Sequence, residues 1–256
     1  MQDFYHNFYA AAETSQAHHT FCERVFGQDL CQHGFVDQAQ LDLLLEVIQV
    51  GPGHRVLDLG CGNGRIAEHL SDRTGAQVTG LDYIDLAIRQ AQSRTQAKAH
   101  RLSFMVGDIH HLALPDQAYD VILAMDSIYF SDDYSATIRQ LKQALRPEGQ
   151  LALFYSYGRE PWVARDAFPS EKLLPEKTPL AEALTANGLT FRTWDLTRQD
   201  YELAQRRKTV LAELQPEFAA EGNLFIYENR LGDAQGVSQA IEEGLHARYL
   251  YHVTLP

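Results

Sequence analysis

Apolar and polar positions change rhythm as the chain proceeds. In residues 1–50 the spacing is helical: Phe4, Tyr5, Phe8 and Tyr9 recur at short helical intervals, and Leu41, Leu44, Leu45 and Ile48 form a one-sided stripe. Such recurrence puts apolar side chains on one helix face. Gly51-Pro52-Gly53 stops that pattern. Short apolar runs then alternate with amphipathic ones. Residues 55–59, 78–81, 102–106, 119–125 and 151–155 predict five strands, and 65–73, 84–98 and 134–145 predict helices between them. Arg146-Pro147-Glu148-Gly149 reads as a stop before the fifth strand. Strands alternating with helices imply right-handed crossovers and a mostly parallel sheet. Beyond these, 179–187 is helical in pattern, 189–196 alternates like a strand, and 246–254 fits a last strand. The stretch 198–243 is long, polar and helix-like, with expected breaks at Pro216, Gly222 and Gly232.

Charge narrows the function classes. The 256 residues carry 22 Lys and Arg against 34 Asp and Glu, a formal net charge of −12. Binding to nucleic acid draws its affinity mainly from Lys and Arg on phosphates, so a nucleic-acid partner is not expected. Cys22, Cys31 and Cys61 are too few for a disulfide scaffold and lack zinc-site spacing, which points to reduced thiols and a cytoplasmic setting. The first ten residues show no basic stretch followed by an apolar run, and no segment has the apolar length to span a bilayer, so no membrane partner is expected. The sequence leaves the oligomeric state open.

Parallel sheets of this kind bind ligands at the carboxyl ends of their strands. Gly60, Asp82, Asp108 and Asp126 fall there. Gly60-Cys61-Gly62-Asn63-Gly64 is a glycine-rich turn between strand and helix, where a ligand can approach the backbone closely and free amides favour an anionic group. A nicotinamide dinucleotide site calls for G-x-G-x-x-G; here Arg65 stands at the last position and Gly64 comes one residue early. Asp82, at the end of the second strand, suits two ribose hydroxyls, because a carboxylate only accepts hydrogen bonds. It would also serve as a cap for the helix near Ile84.

The run from Val56 through Asp58 and Leu59 to Gly64 resembles the first motif of class I S-adenosylmethionine-dependent methyltransferases. Leu81-Asp82, Gly107-Asp108-Ile109 and the stretch 120–126 resemble that family's later motifs in order and spacing, and 145–151 resembles the turn before its fifth strand. The resemblance covers residues 50–156. It implies a Rossmann-like α/β fold: a seven-stranded, mostly parallel sheet with an antiparallel last strand, helices on both faces and a helical cap. Residues 1–50 would form an N-terminal helical cap, and 51–256 the core, with a helical insertion near 198–243. The resemblance further implies S-adenosyl-L-methionine as cofactor and a small molecule as methyl acceptor. Gly60, Gly62 and Gly64 would pack against the methionine part, with Asp58 orienting the loop near the cofactor amine. Asp82 would hold the ribose, Tyr83 would cover one adenine face, and Asp108 with the Ile109 backbone would meet the adenine edge. Ala124 and Met125 would line the methionine moiety. Each position has a structural alternative: a turn glycine, a satisfied core carboxylate at Asp58, an ordinary turn at Asp108, simple packing at Tyr83.

Substrate recognition would come from outside this core. Residues 23–35 are similar to the segment preceding the core in small-molecule N- and C-methyltransferases, and Asp126-Ser127-Ile128-Tyr129 resembles their fourth motif rather than the motif of nucleic-acid amino-methyltransferases. His33 and Tyr129 are the candidate catalytic, substrate-side residues. An imidazole can take a proton or bind a carboxylate, and a phenol can hold a nucleophile or face a cation. The pairs His18-His19 and His110-His111 lack acidic or cysteine partners at a diagnostic spacing, so no metal site is expected. Cys61 is a small loop residue without a visible base. The aromatic N-terminus either docks a helix or forms a lid over the substrate. Transfer to N or O stands slightly ahead of transfer to C. The competing readings are a non-catalytic cofactor-binding sensor or partner subunit, and an NAD-dependent oxidoreductase.

Overall fold

The computed structural model describes residues 2–159 and 162–256; Met1, the first residue of the expected N-terminal cap, and positions 160 and 161 lie outside the described residues. The chain opens with three helices, α1 (Gln2–Ala12), α2 (Gln16–Phe26) and α3 (Gln38–Ile48). Ser15 and Asp37 cap the second and third by accepting from the amides of His18 and Gln40. The alternating region follows: β1 (Arg55–Leu59), α4 (Arg65–Thr74), β2 (Gln77–Asp82), α5 (Asp85–Arg94), β3 (Leu102–Val106), β4 (Tyr119–Met125), α6 (Tyr134–Ala144) and β5 (Leu145–Gly158). Then come α7 (Pro179–Ala186), β6 (Arg192–Asp195), α8 (Thr197–Ala220), α9 (Leu224–Glu242) and β7 (His246–Thr254). No helix among the described residues is long and apolar enough to cross a membrane.

The seven strands form one sheet in the order β3-β2-β1-β4-β5-β7-β6. The first five pair in parallel, and β7 runs antiparallel to both β5 and β6. The strand order reverses between β1 and β4, the switch point where such sheets open a crevice at their carboxyl edge. Side chains alternate between the two faces. Leu57, Leu59, Ile122, Leu151 and Leu153 meet α6 and α7 on one side. Val56, Val121, Leu123 and Phe154 meet α3, α4 and α5 on the other. A third apolar cluster joins α1 and α2 to the α8–α9 hairpin through Phe8, Phe21, Phe26, Leu211 and Phe218.

Four expectations about boundaries need correction. Strand β5 begins at Leu145, not 151: Leu145 pairs with Tyr119, residues 146–149 bulge, and the ladder resumes at Gln150 opposite Val121. Pro216 does not break α8, because it sits on an exposed face where the carbonyl it leaves without a helical donor stays open to water. Gly232 lies inside α9 and is likewise exposed; the break falls at Gly222, whose φ is +74°. The sixth strand is only Arg192–Asp195, since Leu196 already stands at the start of α8.

A buried ion pair holds the crevice end of the sheet. Arg248 of β7 has no exposed surface, and its guanidinium donates to both carboxylate oxygens of Asp126 at 2.5 and 3.1 Å and to Ser156 Oγ at 3.0 Å. Asp126 follows β4 in the left-handed region at φ +55° and also accepts from the Phe35 amide at 2.7 Å. Removing one partner of such a pair leaves an uncompensated charge in the interior. Arg248→Met is expected to lower unfolding free energy by about 3–5 kcal/mol in urea titrations, and Arg248→Met with Asp126→Asn to recover part of that loss. A double variant no more stable than the single one would contradict this role.

Candidate active site

The loops after β1, β2, β3 and β4 surround one cavity of about 770 Å³ at the carboxyl edge, closed over by α1, the segment 31–35 and one residue of α9. That volume suits a nucleotide-sized ligand together with a second small molecule. The glycine loop forms one side. Gly60 and Gly62 have φ of +80° and +55°, and each is hemmed in: a Cβ on Gly60 would lie 2.4 Å from Ser127 Cβ, and one on Gly62 would lie 2.3 Å from the Tyr9 hydroxyl. The loop is tied down by its own backbone. The amides of Gly60 and Cys61 donate to the Leu81 carbonyl at 2.7 and 3.1 Å, and the Gly62 amide donates to Asp82 at 2.8 Å.

Asp82 links the loop to the start of α5, its other oxygen accepting from the Ile84 amide at 2.9 Å. Burial pushes its carboxyl up, against the amide bonds that pull it down. Each oxygen keeps a lone pair beyond these bonds, so Asp82 serves the turn and still offers acceptors to the cavity. Asp108 uses one oxygen for the backbone and ring nitrogens of His110, at 2.9 and 2.7 Å, which holds its carboxyl below the ordinary value. Its second oxygen has no partner among the described residues. Ile109 and Met125 add apolar surface between these acceptors. Tyr83 is half exposed at the rim and donates to Gln2 of α1 at 3.5 Å.

Nine of the eleven candidate site residues stand in the cavity wall: His33, Gly60, Gly62, Asp82, Tyr83, Asp108, Ile109, Met125 and Tyr129. Asp58 and Gly64 do not, and neither does Ala124. Gly64 heads α4, and the Phe104 ring would lie 2.4 Å from a Cβ there. Asp58 is 1% exposed behind the loop, and neither oxygen has a hydrogen-bond partner among the described residues. Burial, helped by the charge of Asp82, pushes its carboxyl up to about 7.

His33 is half-buried among Phe4, Tyr5 and Phe8, with ring centroids at 6.0, 4.9 and 4.8 Å. Burial, and then the positive charge of Arg230, drive its pKa well below the usual histidine range, so the ring is neutral and has no charge to offer a carboxylate. Tyr129 is 39% exposed and packs beside Phe130 at 5.0 Å. His18 and His19 are accounted for by packing and pairing: His18 lies between Phe8 and Cys22, and His19 meets Asp29 at 2.7 Å. No three His, Cys, Asp or Glu side chains group as a metal site among the described residues.

Sequence reasoning missed several wall residues. Tyr5 and Tyr9 belong to the aromatic stripe, but spacing alone cannot tell docking from lining. Gln32, Phe35 and Phe130 neighbour residues that were singled out. Asp233, on α9, carried no local signal at all.

The sign of the Asp58 effect is fixed by its raised pKa. Folded, the group keeps its proton up to about pH 7, whereas unfolded it gives the proton up near pH 4. It therefore makes stability fall as pH rises from about 4 to about 7. Asp58→Asn is expected to flatten that part of the urea-midpoint profile of the ligand-free protein. A profile with the same slope in variant and parent would refute the assignment.

Comparison with known proteins places this geometry. Residues 56–149 match the family described as "Methyltransferase domain". The chain is 36% identical over 112 residues, 43% of its own length and 40% of the relative's, to methyltransferase GfsG of Streptomyces halstedii. The matched stretches span about half or less of the length of the curated relatives. Among solved structures, a phosphoethanolamine N-methyltransferase 2 of Haemonchus contortus, in complex with phosphomonomethylethanolamine and S-adenosylhomocysteine, aligns over 98% of this chain and 60% of that one, with a TM-score of 0.77 and 17% identity. The 4+2 cyclase SpnF aligns over 96% and 97%, with a TM-score of 0.71 and 20% identity. Residues 56–149 thus match the methyltransferase-domain family, and the chain has the Rossmann-like fold of S-adenosylmethionine-dependent methyltransferases.

Proposed function

We propose that the chain is an S-adenosylmethionine-dependent methyltransferase acting on a small molecule. The observation that carries this reading is the row of hydrogen-bond acceptors along the cavity. Asp82 and the free oxygen of Asp108 accept only, as ribose hydroxyls and an adenine amino group require, and apolar Ile109 and Met125 lie between and beside them. The residues present therefore fit the cofactor. The same carboxylate at Asp82 would repel a 2′-phosphate. The neighbouring glycine loop lets backbone come close, and Tyr9 of α1 shuts the space above Gly62.

The bound cofactor supplies a methyl group already activated by a positive sulfur. What the protein must add is alignment and exclusion of water, and alignment alone is worth on the order of 7–11 kcal/mol in favourable cases. The elements that would do this are α1, the segment 31–35 and α9, which close over the cavity and which we read as a cap. The Asp126–Arg248 pair holds that segment in place through the Phe35 amide. His33 presents a neutral ring. Tyr129 presents a phenol, protonated at neutral pH and so a donor for the acceptor molecule rather than a base.

The test is incubation with methyl-labelled S-adenosylmethionine and a metabolite extract, alongside calorimetric titration with S-adenosylhomocysteine. Label is expected to pass to a small molecule. Asp82→Asn is expected to weaken S-adenosylhomocysteine at least about tenfold, since a charged acceptor is worth roughly 1.5–3 kcal/mol. Tyr129→Phe is expected to leave that affinity intact and lower the transfer rate. Tight binding with no transfer to any extract component would favour the non-catalytic sensor, and failure to bind would end the proposal.

A further inference from the structure

Asp233 stands in the cavity wall on α9, half-buried, and makes no hydrogen bond or ion pair with any described residue. The other four carboxylates of the wall are engaged or face water. Asp82 takes two backbone amides, Asp108 takes His110, and Asp126 takes Arg248 and the Phe35 amide. Asp132 is 92% exposed. Among the described residues the wall holds no lysine and no arginine.

Two guanidiniums lie behind the wall rather than in it. Arg207 is fully buried, 4.1 Å from the Phe35 ring centroid, and Arg230 covers Phe8 while donating to the carbonyls of Gln32 and His33. Their charges offset part of the field of Asp233 without forming an ion pair with it.

The cavity wall that Asp233 shares also carries aromatic rings. Tyr5 meets Phe130 at 5.9 Å, and Phe130 meets Tyr129 at 5.0 Å, a continuous run of rings along the cavity. Burial and then Asp233 push Tyr5 up to about 12, while at Tyr129 burial and Asp126 come first and Asp233 adds least. Ring faces beside an unpaired carboxylate attract an organic cation. An anionic acceptor would meet the unpaired Asp233 and no lysine or arginine in the wall.

We propose that the acceptor side of the cavity takes a cationic amine, its ammonium group held between Asp233 and the rings of Tyr5, Phe130 and Tyr129. The inference deepens the methyltransferase reading and rests on it. It concerns recognition of the ammonium group, not the transfer step.

Choline, its uncharged isostere 3,3-dimethylbutan-1-ol and the anion 3,3-dimethylbutanoate separate charge from shape. They are titrated into the full chain with and without S-adenosylhomocysteine. Choline is expected to bind at least about tenfold more tightly than the alcohol, with the anion weakest. Asp233→Asn should abolish that preference while the alcohol's affinity holds, Asp233→Glu should keep part of it, and Tyr129→Leu should weaken choline about threefold or more. Equal binding of choline and the alcohol by the parent chain would overturn the proposal. So would an Asp233→Asn chain that binds both more weakly by the same factor, or that loses thermal stability with an unchanged ratio, as a carboxylate serving only to hold α9 would show. If S-adenosylhomocysteine does not bind, the cofactor reading fails by itself, and the choline ratio in the ligand-free chain still decides the role of Asp233.

Discussion

Arg248 is sealed from water, and its guanidinium pairs there with the carboxylate of Asp126. That pairing reaches from β7 across β5 to the end of β4 and fixes the turn that carries Ser127 and Tyr129. Ser127 Oγ in turn donates to the Leu59 carbonyl, joining the β4 turn to the glycine loop after β1. The second oxygen of Asp126 fixes the Phe35 amide, and Gly34 lies so close to it that a Cβ there would come within 2.7 Å. Two sides of the cavity, one from the sheet edge and one from the N-terminal segment, therefore share one buried charge pair. Their relative placement depends on it more than on any surface contact.

Much of the sheet was readable because parallel strands buried on both faces leave continuous apolar runs, and those runs ended at Gly60, Asp82, Gly107 and Asp126, residues whose chemistry marks a carboxyl edge. The glycine loop and Asp82 were readable for the same reason: their spacing is set by local backbone demands. What was hidden is what depends on distant partners. Strand β5 starts early because Leu145 pairs with Tyr119, a fact absent from the Arg-Pro-Glu-Gly run itself. Pro216 stays helical because its face is exposed and the long α8 packs elsewhere. Asp58, which the motif implies orients the loop near the cofactor amine, is not in the cavity wall, and strand alternation sets it toward the face covered by α3, α4 and α5. Asp233 gave no signal, since only the return of the α8–α9 hairpin over α1 and α2 brings it to the site.

The cavity divides by chemistry. One half, from Gly60 to Ile109, offers accept-only carboxylates and close-lying backbone. The other, from Tyr5 to Asp233, offers aromatic rings, a histidine kept neutral by burial and one unpaired carboxylate. The first half comes from the segment that matches the methyltransferase-domain family; the second joins Tyr5, His33 and Asp233, from outside residues 56–149, to Tyr129 and Phe130 within it. A fold that also serves the cyclase SpnF does not dictate chemistry.

The most direct measurement is a crystal structure of the chain grown with S-adenosylhomocysteine. The expected result has the thioether nucleoside lying along the carboxyl edge, ribose hydroxyls on Asp82 and adenine between Tyr83, Asp108 and Ile109, with its sulfur turned toward Tyr129. A cavity empty at saturating ligand, or the nucleoside bound elsewhere on the chain, would contradict the account.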